Sequence, residues 1–422
     1  MRRWIAVVGW LLAARVAHAQ PAHLAPSELP NIIAEHEPPA IDLLTFGVGD
    51  RIFEKYGHAA LCLRYPHPDH PGVCFNYGVT DFAAGPVMIW DFLRNQQRFW
   101  VEPTSRSAMI EFYEAEDRDI WIQTLPIHGA QARALEDKLW HDVEEDHRYY
   151  VYDHFFDNCT TRLRDAIDDA LGGALRAESD AAYPLTFREL GRRGLAEWPA
   201  LLVATDLVIG RQADEHPTLW QAMFLPDVFR QQIEARLHVA PRLAYHRQGP
   251  PFAGAQPVPP TANVPPPASG RFAWFLVGLV FALPLGFAQW RRRFERAALA
   301  WLTVELAGLG VLVWGLAILS SIPGVRYNEA AFVVLPLDGV LPWLGPARRR
   351  QYAFARIAML ALISLLSAVG VLHQPLWILI LVVFVAMATI ALDLPHGLIA
   401  RRGGPSPDSP ASVDPAAGTG PG

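Results

Sequence analysis

Apolar and polar positions divide the chain into two parts with different patterns. Up to about residue 240, short apolar segments alternate with polar turns, which predicts a mixed α+β domain of residues 20–240. From residue 271 to 400, apolar runs of bilayer-spanning length follow one another. Residues 241–270 between them are rich in Pro and Ala and are predicted to be a linker without a core.

The first part begins with three predicted strands. The second and third, residues 57–65 and 73–79, are separated by turn-forming residues 66–72 and form a predicted hairpin with antiparallel strands. The first strand is Ile41–Phe46, and a fourth, Asp119–Leu125, follows later from its alternating pattern.

Helical periodicity marks several segments of the same part. The strongest signals surround Cys159, because Asp157 and Asn158 are favoured N-cap residues and Gly172-Gly173 ends the apolar repeat. The predicted helices are Trp90–Trp100, Ser107–Glu116, Ala130–His147, Cys159–Ala170, Phe187–Gly191, Leu195–Ile209 and Trp220–Leu237.

The second part contains five apolar runs. Four are long, and the fifth, Ala330–Leu344, is shorter and interrupted by Pro336, Asp338 and Pro342. Three arginine clusters, at 291–293, 348–350 and 401–402, share the cytoplasmic side only if the chain crosses five times. We therefore expect the short run to cross as a broken or re-entrant span. The long runs are Phe272–Trp290, Ala297–Ser320, Tyr352–Leu372 and Leu376–Leu394.

The two ends of the chain have their own composition. Residues 1–19 combine Arg2 and Arg3, an apolar core and an Ala17-His18-Ala19 site, which is typical of a secretory signal peptide, with a retained anchor as the alternative. Export would place the first domain outside the cytoplasm. Residues 401–422 are rich in Pro, Gly, Ser and Ala and are predicted to be disordered.

Composition agrees with a membrane protein. The chain has 422 residues with 51% hydrophobic and 18% charged residues, and its net charge of −6 with no basic stripe argues against a nucleic-acid partner. Three cysteines are too few for a disulfide scaffold. Cys62 and Cys74 lie on the two arms of the hairpin and could form a disulfide in an exported domain, which would leave Cys159 as the odd thiol.

Cys159 is the candidate nucleophile, because a thiol in the first turn of a helix is favoured as a thiolate. A buried structural cysteine is the alternative. His58 could act as its base and Asn76, on the partner strand, could orient the ring. His154 competes for the role of base among 15 histidines. No metal or cofactor is expected, since His67, Asp69 and His70 lie in a Pro-rich turn without further ligands.

Three motifs resemble the Lnb-type bacterial lipoprotein N-acyltransferases: Tyr56–Leu61 (YGHAAL), Phe75–Gly78 (FNYG) and Phe155–Asp165 (FFDNCTTRLRD). Met223–Pro226 resembles a late motif of their periplasmic domain. In the membrane part, residues 334–337 read VLPL where the family has Asn before Pro, so that part of the match is loose.

The resemblance implies a permuted papain-like fold related to NlpC-type peptidases, with Cys159 as nucleophile and His58 as base in a thioester mechanism. Four further motif residues are expected to bind substrate or shape the site: Tyr56, Tyr77, Asn158 and Arg162.

The family further implies an acyltransferase. Its donor would be a membrane phospholipid and its acceptor the N-terminus of a diacylated lipoprotein at the bilayer. Two other functions remain open at this point. The same Cys–His pair would serve a thiol hydrolase or peptidase acting on cell-wall peptides, and a membrane-tethered sensor or assembly factor would need no catalysis.

Overall fold

The computed structural model describes residues 37–51, 54–66, 72–81, 90–91, 93–195, 198–250, 271–291 and 293–392. The predicted signal peptide, the turn containing His67 and His70, and the predicted disordered tail lie outside the described residues.

The first part folds around a seven-stranded sheet in which every neighbouring pair is antiparallel. The strand order is β6-β4-β3-β2-β1-β5-β7, so the predicted hairpin of β2 and β3 lies at its centre. The prediction of an antiparallel sheet with helices is confirmed. The strands are β1 Ala40–Phe46, β2 His58–Arg64, β3 Val73–Val79, β4 Arg98–Ser105, β5 Ile120–Thr124, β6 Tyr149–Val151 and β7 Arg242–Tyr245.

The predicted helix Trp90–Trp100 is wrong over its second half. Residues from Arg98 onwards form β4, which pairs with β3 on one side and β6 on the other. Phe99 and Val101 are buried while Trp100 between them is half-buried, which is the two-residue alternation of a strand. Pairing with two neighbours overrides the local apolar pattern of the segment.

The predicted linker also begins too early. β7 pairs with β5 at the edge of the sheet, so residues 242–245 belong to the first domain. Just beyond it, the Asp119 carboxylate accepts a hydrogen bond from the Arg247 backbone (2.8 Å), and Asp117 accepts two from Gln248 and Gly249. These bonds extend the folded domain to residue 249.

Apart from the segment at residues 90–100, the helices of the first part match the predicted segments, with bounds that differ by a few residues. Pro226 divides the predicted helix Trp220–Leu237, since proline begins a helix but cannot continue one. The helix that begins at Cys159, α3, packs against β2 and β3. The helices are α1 Arg106–Ala115, α2 Gly129–His141, α3 Cys159–Ala170, α4 Phe187–Gly194, α5 Pro199–Val208, α6 Leu219–Ala222 and α7 Pro226–Leu237.

In the second part, three helices are long and apolar enough to cross a membrane among the residues described: α8, α9 and α11. A fourth apolar helix, α12, has only 15 residues. At about 1.5 Å per residue it is shorter than the hydrocarbon core of about 30 Å. The helices of this part are α8 Arg271–Arg291, α9 Glu295–Leu319, α10 Pro323–Arg326, α11 Pro346–Ala368 and α12 Trp377–Ala391.

The short apolar run is broken, as its prolines indicated. It forms two 3₁₀ helices, Glu329–Phe332 and Pro336–Trp343, that run alongside α9. Trp314 of α9 donates a hydrogen bond to the Ala331 carbonyl (2.9 Å). Nearer the start of α9, Gly310 packs against the backbone of this segment. A Cβ atom at Gly310 would lie 2.4 Å from the Leu335 carbonyl carbon.

A buried ion pair ties this segment to α11. Arg356 donates to both carboxylate oxygens of Asp338, at 2.9 and 3.1 Å, and to the Val333 carbonyl at 2.6 Å. The Tyr352 hydroxyl also donates to Asp338 (2.7 Å). The charge of Asp338 is thus compensated within the protein, which is necessary for a carboxylate that is 0% exposed.

The two parts of the protein contact each other through loops at one end of the membrane helices. Asn328 donates to the Leu207 and Val208 carbonyls at the end of α5 (2.7 and 3.0 Å). Gln374, between α11 and α12, donates to the Ile209 carbonyl (3.2 Å), and Ser320, just after α9, donates to Leu93 (2.5 Å). The end of α9, the end of α11 and the start of α12 therefore face the sheet domain.

Cys62 and Cys74 face each other across β2 and β3 and form a disulfide between two fully buried side chains. The bridge closes a loop with a sequence separation of 12. We predict that replacing both cysteines with Ala lowers the free energy of unfolding by about 3 kcal/mol, because the unfolded chain regains the loop entropy. Thermal unfolding of the oxidised protein measures the effect, and an unchanged transition would contradict it.

Candidate active site

His58 is held at the start of β2 by the residue before it and by Asn76. Gly57 has φ of +78°, and a Cβ there would lie 2.7 Å from the Phe46 carbonyl oxygen, so only glycine fits. The His58 Nε2 atom lies 2.7 Å from the Asn76 Oδ1 atom. Because an amide oxygen only accepts hydrogen bonds, Nε2 is the donor of this bond, which leaves Nδ1 for a second partner.

Cys159 is the first residue of α3, and Asn158 caps that helix. The Asn158 Oδ1 atom accepts hydrogen bonds from the Thr160 and Thr161 backbone (2.8 and 2.9 Å), and the Thr161 hydroxyl accepts one from the Asn158 backbone (2.8 Å). The Asn158 Nδ2 group donates to the His154 and Phe224 carbonyls. This capping box fixes the position of the thiol on the helix.

The Cys159 thiol interacts with the His58 ring. Burial raises the pKa of the Cys159 thiol, but the charge and hydrogen bond of His58 and weaker bonds from Thr160 and the Ala59 backbone lower it, and the net shift is downward. With Nε2 directed to Asn76, Nδ1 is the ring nitrogen that remains for the thiol. A nucleophile, a base and a group that orients the base thus lie together.

The Cys159 thiol and the His58 ring approach each other at the end of the sheet, because they are packed on its opposite faces. His58 stacks near Tyr113 of α1 (ring centroids 6.1 Å apart), while α3 packs on the opposite sheet face with Leu163 against β2 and β3. A bulge at Gly78, whose φ is +94°, lies where β3 passes Cys159. The Cys159 Cβ atom is 3.6 Å from where a Gly78 Cβ would be.

His154, the alternative base, has a different environment. It packs against the rings of Tyr56 and Phe224, at centroid distances of 4.5 and 5.5 Å. Burial lowers the pKa of His154 to about 4, so its ring is neutral at physiological pH. The largest interactions that lower the thiol pKa come from His58, and His154 is not among their sources. The structure therefore brings together Cys159, His58 and Asn76.

The three residues line a cavity of about 450 Å³. Its walls also carry many aromatic and aliphatic side chains from the sheet domain, among them Phe112, Phe155, Phe156 and Phe224. Residues at α5 and at α10, the short helix after α9, complete it: Leu201, Thr205, Ile209, Ile322, Gly324 and Val325. The site thus lies where the sheet domain meets the membrane part.

Of the four further motif residues, two line the cavity. Tyr56 donates a hydrogen bond to the Gly191 carbonyl (2.9 Å), and its ring occupies the space that a side chain at Gly194 would need. Asn158 lines the cavity as the helix cap described above.

Tyr77 and Arg162 are not among the residues that line the cavity. Tyr77 alternates with Asn76 along β3 and therefore points into the core, where its hydroxyl donates to Asp142 (2.5 Å). Tyr77 therefore supports the site from the core side of β3 and does not form part of the cavity wall. Arg162 binds Asp157 through two hydrogen bonds (2.6 and 2.9 Å) and lies over the Tyr150 ring, which supports the turn before Cys159.

The motifs missed other residues of the cavity wall. Tyr113 and Arg118 both line it, on α1 and just before β5, and Arg118 is only 3% exposed. Neither residue belongs to a recognisable motif. The sequence signal at this position is limited to an arginine that comes just before an apolar strand. The exposed group of His141, Glu144 and His147 has metal-ligand spacing, but none of these residues lines the cavity.

The fold and the site define a membrane protein whose antiparallel sheet domain carries a Cys–His–Asn group at a helix start. Residues 34–193 match the family described as the Lnb N-terminal periplasmic domain. The match confirms the resemblance to the Lnb-type family over these residues. A periplasmic first domain followed by apolar helices fits a membrane protein. No curated protein and no solved structure matches the chain.

We predict that the pH midpoint for alkylation of Cys159 by iodoacetamide lies below the ordinary pKa of a thiol, because the pKa of Cys159 is lowered. In His58→Ala the pH midpoint should rise, since the burial that raises the pKa is no longer opposed. In His154→Ala the midpoint should stay unchanged. Mass spectrometry against pH measures all three, and equal midpoints in wild type and His58→Ala would contradict the assignment.

We also predict that Asn158→Ala lowers the free energy of unfolding by about 2–4 kcal/mol, because the helix cap and two bonds to buried carbonyls are lost. Thr186→Ala is a matched control, since Thr186 caps α4 in the same way through its hydroxyl and should cost about 1 kcal/mol. Thermal unfolding measures both, and equal effects would show that the Nδ2 bonds contribute nothing.

Proposed function

We propose that this protein is a cysteine-dependent acyltransferase that forms a thioester on Cys159. The observation that carries the proposal is the Cys159 thiol with a lowered pKa beside His58, whose far nitrogen is held by Asn76. A thiolate paired with an oriented imidazole is the arrangement that acyl transfer through a thioester needs. The permuted papain-like fold belongs to the same proposal.

In the first half-reaction, the thiol proton moves to His58 Nδ1 and the thiolate attacks the carbonyl carbon of a phospholipid ester. The C–O bond to the glycerol then breaks, and His58 returns the proton to the departing alkoxide, which leaves as a lysophospholipid. The acyl chain remains on the Cys159 sulfur as a thioester.

In the second half-reaction, an amine attacks the thioester. His58 takes the proton that the amine loses, the C–S bond breaks, and an amide forms while the sulfur leaves as thiolate and regains a proton from His58. Following the family resemblance, we propose the N-terminal amine of a diacylated lipoprotein as the acceptor. The cycle needs no cofactor.

The backbone N–H of Cys159 would stabilise the oxyanion of both steps. The N–H groups of Thr160, Thr161 and Arg162 donate to Asn158, whereas the Cys159 N–H has no acceptor among the described residues. It lies at a helix N-terminus, which favours negative charge. A donor left free beside the nucleophile is suited to an oxyanion hole.

The position of the cavity supports a lipid donor. Its wall includes residues 322, 324 and 325, which directly follow α9, and residues of the apolar helix α5. Leu207 of α5 is buried together with side chains of the membrane helices. An acyl chain could therefore pass from the bilayer into the cavity without crossing water.

The connections between helices support five crossings of an inner membrane. Gln289 near the end of α8 donates to the Thr389 carbonyl near the end of α12 (3.2 Å), so both helices end on the side away from the sheet domain. α9 ends at the sheet domain and α11 begins away from it, and the 3₁₀ segment connects these two ends. The Arg349 end of α11 would then be cytoplasmic.

The test is the intact mass of the full-length protein after incubation with phospholipid. We predict an acyl adduct on wild type, none on Cys159→Ala, and formation slowed about 10²- to 10⁴-fold in His58→Ala, because the base is lost. His128→Ala, at an exposed histidine before α2, should form the adduct at the wild-type rate.

Absence of an adduct on wild type, or an undiminished one on Cys159→Ala, would contradict the proposal. Release of free product from cell-wall peptides without an adduct would indicate the hydrolase. Full biological function of Cys159→Ser would indicate a non-enzymatic role.

A further inference from the structure

Arg118 is a buried cation whose hydrogen-bonding capacity is only partly used. Its Nε atom donates to the Gly47 carbonyl at 2.8 Å, and one terminal nitrogen lies 3.9 Å from the Glu54 carboxylate. The other terminal nitrogen, Nη2, is buried and has no hydrogen-bond partner among the residues that the structure describes. The arginine is 3% exposed. Such a buried donor is unfavourable unless something supplies an acceptor.

Arg118 lines the cavity that contains Cys159 and His58. Its guanidinium lies over the Tyr113 ring, 4.6 Å from the centroid, and the same ring stacks near His58 at 6.1 Å. One aromatic ring therefore separates the cation from the imidazole. A ligand whose acidic group met Arg118 would therefore occupy the same cavity as the thiol.

The charges around Arg118 limit what can hold an anion there. Arg51 also lines the cavity and pairs with Glu54 and Glu116 at 3.3 and 3.4 Å. The two carboxylates balance the two arginines, so no net positive charge attracts ligands. Binding would instead depend on a directed bond from the guanidinium. Because Nη2 has less than 1 Å² of accessible surface, the side chain must turn to present this donor to an acceptor close to its plane.

A phosphate oxygen is such an acceptor, and in a glycerophospholipid the phosphate and the acyl esters are attached to one glycerol. We propose that Arg118 forms the phosphate subsite of the acyl donor, so that the enzyme uses phosphate-bearing lipids in preference to neutral glycerolipids. The role of the bound lipid as donor rests on the proposed function. The binding site itself does not.

The test measures protection of Cys159 from iodoacetamide in the full-length protein in detergent. The probes are a short-chain diether phosphatidylglycerol and the diether glycerol with the same chains, neither of which contains an ester that the thiol could cleave. We predict that the phosphate-bearing probe protects wild type at an about 10- to 100-fold lower concentration, because one charge-assisted hydrogen bond is added. In Arg118→Gln the two probes should become equivalent.

Arg164→Gln is the matched control. Arg164 is also a buried arginine over an aromatic ring, 4.0 Å from the Trp220 centroid, and it donates to the Trp220 carbonyl at 2.8 Å. It does not line the cavity. Arg164→Gln should therefore keep the discrimination between the probes even if it lowers stability, whereas Arg118→Lys should retain only part of it.

Equal protection by the two probes in wild type, or unchanged discrimination in Arg118→Gln, would overturn the proposal. Inorganic phosphate that protects as well as the lipid would overturn the assignment to a lipid headgroup. If discrimination is found but no acyl adduct forms on Cys159, the acyltransferase proposal fails while the phosphate subsite stands.

Discussion

The interaction between the Cys159 thiol and the His58 imidazole is the constraint on which the rest of the structure depends. Burial alone would raise the thiol pKa and make the group inert, and the imidazole reverses that effect. The contact between the two residues does not follow from the sequence neighbours of either one. His58 must lie on a central strand, and Cys159 must lie at the start of a capped helix. The bulge at Gly78 must then allow the two side chains to approach each other at the end of the sheet.

The contact between the sheet domain and the membrane part forms one side of the cavity that contains this pair. The cavity is closed on one side by residues that follow a membrane helix, and Asn328 and Gln374 hold those loops against the end of α5. Because these bonds end on backbone carbonyls, the sheet domain is attached in a defined position and not merely tethered by a linker. The chemistry of the thiol is thereby brought next to the lipid.

Much of this could be predicted from sequence where the signals are local. The hairpin, the cap at Asn158 and the start of a helix at Cys159 all follow from residues a few positions apart. β4 and β7 could not, because distant strands stabilise them. Alternation also explains why Asn76 lines the cavity and Tyr77 does not, since adjacent residues on a strand point to opposite faces. Arg118 was missed because its significance lies in an unused donor, which no sequence pattern reveals.

The most direct test of the central claim is chemical cross-linking with dibromobimane, which becomes fluorescent when it joins two thiols a few ångströms apart. In His58→Cys the new thiol should be joined to Cys159, since the other two cysteines are held in a disulfide. Arg64→Cys, at the other end of β2, should give no fluorescence. Lack of cross-linking in His58→Cys, with both thiols shown to be reactive, would contradict the account.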